Sequence, residues 1–402
     1  MSKMILQPKI RGFICTTAHP VGCAKRVQDE IDYVQERPLI RQGPKKALII
    51  GASTGYGLSS RIVAAFGGSR AATIGVFFEK EAENGRTATA GYYNSAAFEQ
   101  KAREAGLYAK SFNGDAFSDE MKQKVMETIK KDLGSVDLVI YSLASPRRQH
   151  PRTGQLAKSV LKPVGTTFSN KSLDLNSNKL ENVTLAQASQ EEIDQTISVM
   201  GGEDWEMWIE ALKNAGLLER HALTVAYSYI GPELTRGVYR NGTIGKAKDH
   251  LEATARKLDE QLKKYGGRAL ISVNKALVTQ SSSAIPFIPL YFILLKKVMK
   301  EKKVDEDCIG QIHRLFATRL YTGGPIPVDE NGFARLDDWE MRQDVQREVR
   351  ANWDNLSDGN LTQYADLDGY QKDFLRLFGF GLEGVNYDAE VETDLKLPST
   401  LC

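Results

Sequence analysis

A phenol can hand a proton to a developing oxyanion when a nearby ammonium group holds its pKa down and fixes the ligand. The chain offers 15 tyrosines for such a role. The spacing that sets tyrosine and lysine on one helix face is Tyr-x3-Lys, and no tyrosine here has a lysine four residues on. Tyr239 instead has Lys246 and Lys248 downstream. A helix turns about 100° per residue, so the step from 239 to 248 ends on the opposite face. Tyr239 and Lys248 can therefore converge only if Tyr239 stands ahead of the helix, which Gly242 and Gly245 allow. A lone loop tyrosine is ordinarily a surface residue. A second tyrosine, Tyr229, and the frame around both argue for a site.

That frame is organised around Ala47 to Arg61. Ala47-Leu48-Ile49-Ile50 has the length and composition of a strand buried on both faces. It ends in Gly51-Ala52-Ser53-Thr54-Gly55-Tyr56-Gly57, after which Leu58, Ile62, Val63, Ala65 and Phe66 fall at helical spacing. Strand, glycine turn and helix together make a dinucleotide site. The glycines let the backbone approach a pyrophosphate, and the helix N-terminus meets it with free N–H groups. The next strand, Ala72 to Phe78, ends in Glu79. A carboxylate there accepts from both ribose hydroxyls of NAD and repels a 2′-phosphate. Glu79 lies 28 positions beyond Gly51, more than the usual ~20, and Lys80 beside it pulls toward NADP. NADH is the favoured cofactor.

The βα alternation continues. Asn94 to Ala105 reads as a helix and Tyr108 to Phe112 as a third strand. Asp115 can meet an adenine amino group or cap the helix at 118–132; the sequence favours both equally. Val136 to Tyr141 is a fourth strand, ending near the switch point where ligands sit in open α/β sheets. Arg147 and Arg148 after it suit a phosphate, or a solvated turn slightly better. Residues 150–190 are polar and read as an insertion. Glu191 to Val199 and Trp205 to Ala215 are helices, with Trp205 and Trp208 as core rather than an aromatic box. Leu223 to Ile230 is a fifth strand with Tyr227 and Tyr229 on one face, followed by a helix at about 243–264. Ala269 to Asn274 is a sixth strand. The apolar run Ala284 to Leu295, interrupted by Pro286 and Pro289, suits a lid edge somewhat better than a core helix. Residues 305–318 form a helix, Asp368 to Phe378 another, and residues to 402 show no catalytic cluster. Ahead of all this, 1–45 is an addition holding a strand at Ile10 to Cys15 and a helix at Val27 to Val34.

Composition excludes several classes. Net charge is +2, which supports no nucleic-acid partner. The four cysteines, Cys15, Cys23, Cys308 and Cys402, form no CxxC or Cys/His cluster, so no metal site is expected. Their scarcity suits a reducing cytoplasm, and Cys15 and Cys23 read as small buried hydrophobes rather than nucleophiles. No secretory signal opens the chain, and the longest apolar run is too short to span a bilayer.

The turn's G-x3-G-x-G spacing resembles the short-chain dehydrogenase/reductase superfamily. More specifically, the chain resembles the bacterial trans-2-enoyl-CoA reductase/enoyl-acyl-carrier-protein reductase family of FabV type. The shared stretches are RGFICTTAHPVGC (11–23), GASTGYG (51–57), FFE (77–79), NGDAFSDE (113–120), YSLASPRR (141–148), VMGGEDW (199–205), LVTQSSSAIP (277–286), FGFGLEGVNYD (378–388) and the Tyr-x8-Lys pair. They cover nearly the whole chain. The resemblance implies Tyr239 as proton donor, Lys248 as its partner on the cofactor, and Tyr229 as the tyrosine that binds the thioester carbonyl. It implies cofactor contacts from Gly51, Ala52, Ser53, Thr54, Gly55 and Tyr56 at the pyrophosphate. Phe78 and Glu79 would meet the adenosine end, with Glu79 selecting NADH. Asp115, Ala116, Leu143, Ala144, Leu277, Val278 and Thr279 would supply further NAD contacts. It also implies a monomer and gives the run 284–295 the role of a helix covering the acyl chain.

The expected fold is α/β: a Rossmann-type doubly wound parallel sheet with N- and C-terminal additions and a helical substrate-binding region. One large domain, 1–402, divides into an addition at 1–45, a cofactor and catalytic core at 46–302 and a packed addition at 303–402. The expected reaction is NADH-dependent reduction of the C=C bond of a trans-2-enoyl thioester on acyl carrier protein or coenzyme A, in fatty acid biosynthesis. The alternatives are a short-chain ketoreductase or alcohol dehydrogenase, and a catalytically silent NAD-binding regulator. The second needs neither Tyr239 nor Lys248.

Overall fold

The computed structural model describes residues 3–11, 14–175, 177–279 and 287–400. Short apolar runs form seven parallel strands: β1 (Lys46–Ile50), β2 (Ala72–Phe77), β3 (Ala109–Asn113), β4 (Val136–Tyr141), β5 (Leu218–Ser228), β6 (Arg268–Val273) and β7 (Phe333–Arg335). They lie in the order β7-β6-β5-β4-β1-β2-β3. Ala47, Leu48, Ile49 and Ile50 are all fully buried, as a central strand covered on both faces requires. Successive strands run one way from β1 to β3 and the other way from β4 to β7. The C-terminal ends of β1 and β4 therefore flank the switch point, with Ile50 opposite Tyr141.

Helices cover both faces. On one side pack α1 (Pro20–Gln35), α2 (Gly55–Phe66) and α3 (Ala90–Glu104). On the other are α4 (Asp119–Thr128), and, beyond α5 (Gln190–Met200), α6 (Glu203–Asn214). Past the single turn α7 (Glu233–Arg236), the long α8 (Thr243–Lys263) lies on this second side. Trp205 and Trp208 of α6 are fully buried, so they are core. Removing one such ring costs ~3–5 kcal/mol. A third apolar body is built on α9 (Ile288–Glu301), which buries Ile288 to Leu295 continuously. Beyond α10 (Cys308–Leu315), which packs on the α2 side, α11 (Gln343–Asn355) adds Val345, Val349 and Trp353 to that third body.

The structure departs from the sequence reading in several places. β7 was not expected: three residues are too few to show a period. The stretch 150–190 is not a plain insertion. It folds into two hairpins, and the second (Phe168–Asp174 with Lys179–Leu185) packs Leu173, Leu180 and Val183 into the third body. The strand expected at Ile10 to Cys15 is a small hairpin of Ile10–Arg11 with Ile14–Cys15, and Gly12 and Phe13 lie outside the described residues. Of the run 284–295, residues 284–286 lie outside the described residues. The rest is a core helix rather than a lid edge, because Pro289 sits in the first turn, where its missing N–H costs nothing.

Candidate active site

The glycine turn leaves β1 at Gly51, whose φ is +90°. A Cβ there would stand 2.3 Å from the Ser142 carbonyl oxygen, so only glycine fits between β1 and the exit of β4. Thr54 caps α2 without any side-chain bond, leaving the helix's first N–H groups to a ligand. Ser53 Oγ donates to Glu79 Oε1 at 2.6 Å, tying the turn to the acid at the end of β2. Asn113 clasps the same acid's backbone, accepting from its N–H at 2.8 Å and donating to its carbonyl at 2.9 Å. Burial pushes the Glu79 carboxyl up, and the Ser53 bond draws it back. Phe78 beside it is 77% exposed, a bare ring next to that carboxylate. This arrangement fits a dinucleotide: a helix N-terminus for its pyrophosphate, a carboxylate for its ribose and an apolar ring for its base.

Tyr56 closes the turn on its other side. Its hydroxyl donates to the Lys275 carbonyl at 2.8 Å, just past β6. The chain then runs through Leu277, Val278 and Thr279 beside the turn, with Thr279 Cγ2 4.0 Å from the place a Gly55 Cβ would take. The residues 280–286 of the same motif lie outside the described residues. Leu143, after β4, packs on the α4–α6 side. Asp115 does not cap α4: its Oδ1 accepts from Phe117 N–H at 2.9 Å, and Ser118 is the cap. The Ala116 carbonyl accepts from Trp208 Nε1 at 3.1 Å. Arg148 is neither a solvated turn residue nor free for a phosphate. It is 1% exposed and donates to Glu203 Oε2 at 2.6 Å and to the Ser198 carbonyl at 2.7 Å.

Tyr239 stands ahead of α8. Its N–H donates to the Thr235 carbonyl, and its own carbonyl accepts from Gly242 and Gly245. A Cβ on Gly245 would lie 1.8 Å from the Arg240 oxygen, so the tight entry into α8 needs glycine there. Lys248 follows in the second turn of α8, 9% exposed, and Nζ donates to the Tyr227 carbonyl at 3.3 Å. Glu252 lies one turn on, but its carboxylate is held by Arg240 at 3.0 Å. Burial lowers the Lys248 pKa to about 8, with Glu252 opposing. Burial also pushes the Tyr239 phenol up, so it keeps its proton at neutral pH.

Tyr229 and Tyr239 meet ring to ring, centroids 5.0 Å apart and inclined at 73°. Tyr227 and Tyr229 do not share a surface. β5 ends at Ser228, Tyr227 pairs with Ser60 of α2 at 2.6 Å, and the Tyr229 hydroxyl donates to Glu340 Oε1 at 2.9 Å. Glu340 is fully buried and also takes the Tyr291 hydroxyl of α9 at 2.7 Å. Sequence reasoning missed both residues. Tyr291 lay in the apolar run, but Glu340 had no local signal. Cys15 and Cys23 are buried, and burial pushes the Cys23 thiol up to about 12, far from nucleophilic.

Three family profiles match the chain: the NAD(P)H-binding domain of trans-2-enoyl-CoA reductase (residues 5–84), the trans-2-enoyl-CoA reductase catalytic region (86–321) and the enoyl reductase FAD-binding domain (328–391). The residues of the third do not fit a flavin. β7 runs into Leu336-Asp337-Asp338-Trp339-Glu340 with no glycine turn, and α11 buries its apolar face in the body around α9. A Flavobacterium johnsoniae protein named as an NADH-dependent enoyl-acyl-carrier-protein reductase is 58% identical over 98% of this chain and 100% of its own. A Coxiella burnetii protein of the same name is 58% identical over 98% of each. The solved Treponema denticola trans-2-enoyl-CoA reductase in complex with NAD superposes with a TM-score of 0.94 at 50% identity, covering 98% of this chain and all of that one. The Clostridium acetobutulicum enzyme in complex with NADH gives 0.94 at 44%, covering 97% and 98%.

Proposed function

The chain belongs to the trans-2-enoyl-CoA reductase family, and we propose from that premise a role for each residue of its cleft. It is an NADH-dependent enzyme that reduces the carbon–carbon double bond of trans-2-enoyl thioesters to the saturated acyl thioester. The observation that carries the assignment of roles is the T-shaped pair of Tyr229 and Tyr239 ahead of α8, whose second turn carries the buried ammonium of Lys248.

NADH, when bound, supplies the hydride. The turn Gly51 to Tyr56 and the N-terminus of α2 hold its pyrophosphate. Glu79 takes the adenosine ribose hydroxyls and Phe78 the base, while Asp115, Ala116, Leu143, Ala144 and Leu277 to Thr279 line the rest. Tyr239 holds the thioester oxygen as negative charge grows on it, and Tyr229 braces the Tyr239 ring, its own hydroxyl proton being given to Glu340. Tyr239 supplies the proton, directly or through water, and its elevated pKa means that it arrives protonated. Lys248 holds the nicotinamide ribose, and its charge eases proton loss from Tyr239. The carrier is acyl carrier protein or coenzyme A, the chain acts as a single monomeric domain, and its place is the cytoplasm. Among the described residues no helix is long and apolar enough to cross a membrane.

The test is NADH oxidation with crotonyl-CoA, run beside NADPH and beside acetoacetyl-CoA. Rapid NADH-dependent loss on crotonyl-CoA alone supports enoyl reduction. Turnover on acetoacetyl-CoA without turnover on crotonyl-CoA would point to the ketoreductase reading.

A further inference from the structure

Three walls of the reactive cleft meet on one carboxylate. After β7, the N–H groups of Leu336 and Asp337 both donate to the Val273 carbonyl, at 2.8 and 3.1 Å, so the chain leaves the sheet beside the end of β6. This brings Glu340, fully buried, under the tyrosines. Its Oε1 accepts from the hydroxyls of Tyr229 (2.9 Å) and Tyr291 (2.7 Å), and its Oε2 from the N–H of Ala276 (2.6 Å). Gln346 of α11 completes the cluster, donating to the Tyr291 hydroxyl at 3.1 Å and to the Glu340 carbonyl at 2.7 Å. Each partner belongs to a different wall. Tyr229 packs on Tyr239. Tyr291 anchors α9. Ala276 leads directly into Leu277 to Thr279.

An aliphatic side chain would fill such a space at less cost, because a buried carboxylate must recover its lost hydration from its partners. Here the recovered bonds gather the Tyr229 and Tyr291 hydroxyls and the Ala276 amide on one carboxylate. Tyr229 has a single hydroxyl proton, and it goes to Glu340. Without that acceptor the ring that packs on Tyr239 loses the bond that holds its far end.

We propose that Glu340 is a positioning residue for the reduction, acting through Tyr229. By taking the Tyr229 hydroxyl it holds that ring against Tyr239, the group that meets the thioester oxygen. The proposal rests on the reading of Tyr239 as the proton donor. Burial raises the Glu340 carboxyl, and Ala276 N–H, Tyr291, Lys275 and Tyr229 draw it back.

A double-mutant cycle tests it. Glu340→Gln keeps size and polarity. It should leave the dissociation constant for NADH within about threefold and lower kcat on crotonyl-CoA by about 10- to 100-fold, the size of one hydrogen bond to a charged group. In the Tyr229→Phe enzyme the same substitution should cost less than about threefold, since the hydroxyl it holds is gone. The cycle is repeated with Glu340→Ala, so that the answer does not hang on how the amide seats. Full additivity with Tyr229→Phe would overturn the proposal, as would NADH affinity falling in step with turnover. A wild-type enzyme inactive on crotonyl-CoA would overturn the functional reading as well, which separates the two failures.

Discussion

Replacing Lys248 with methionine should make the protein more stable while disabling it. Lys248 is a buried cation whose neighbouring acid is already taken: Glu252 pairs with Arg240, and among the described residues Nζ bonds the Tyr227 carbonyl alone. Its pKa falls from the ordinary 10.5 to about 8. Each unit corresponds to 1.36 kcal/mol, so holding the charge inside costs about 3 kcal/mol. Losing the bond to Tyr227 returns about 1 kcal/mol of that. Lys248→Met should therefore gain about 2 kcal/mol at pH 7. At ~2.1 cal/mol/K per residue, that raises Tm by about 2–3 °C in a chain of this length. The pH dependence has a definite sign. Between the folded and unfolded pKa values the unfolded lysine binds the extra proton, so wild-type stability rises with pH through that window. Below about pH 8 the full penalty stands, and it is gone only above about pH 10.5, where the unfolded lysine is neutral too. The advantage of the methionine variant should be largest at pH 7 and fade toward pH 10.5. Urea unfolding of the two cofactor-free proteins across this range measures it, since bound NADH would add its own stabilisation to whichever protein binds it better. A variant less stable than wild type at pH 7, or a difference that does not change with pH, would refute the reasoning.

Three further outcomes are expected. Turnover at low crotonyl-CoA should fall as pH rises through about 8, as Lys248 loses the charge that holds the ribose, and a pH profile of kcat/KM reads this. Glu79→Gln removes a carboxylate that Ser53 orients at 2.6 Å, and it should narrow the preference for NADH over NADPH by at least about tenfold in kcat/KM. Gly51→Ala places a Cβ 2.3 Å from the Ser142 oxygen on a backbone at φ +90°. It should weaken NADH by more than about tenfold and cost about 1–3 kcal/mol of stability, read by titration and by urea unfolding.

What could be read in advance followed the length and locality of each signal. Ala47 to Ile50 is a whole buried strand in four letters, and its glycine turn and Glu79 follow within a few dozen residues. The six longer strands announce themselves in the same way. β7, at three residues, does not, because its identity as a strand comes only from pairing with Ile271 to Val273 of β6. Glu340 was hidden for the same reason. Its partners Tyr229, Ala276 and Tyr291 are far away in sequence, and a lone glutamate in a charged stretch reads as solvated. Arg148 was misread by the opposite route. Local polarity suggested a turn, whereas Glu203 and Phe117 draw it into the interior. The helix cap went to Ser118 rather than Asp115 because a cap must stand next to the first turn, and Asp115 is three residues too early. That Tyr239 precedes its helix was legible from Gly242 and Gly245, and the hydrogen bonds there bear it out.

The account's central claim is that Tyr239 gives the proton. Its most direct test is single-turnover reduction of crotonyl-CoA by Tyr239→Phe beside a direct titration of NADH. NADH should bind within about threefold of wild type, while the chemical step slows by about a hundredfold or more, the range of a lost general acid. A phenylalanine variant that reduces crotonyl-CoA at the wild-type rate would contradict the claim.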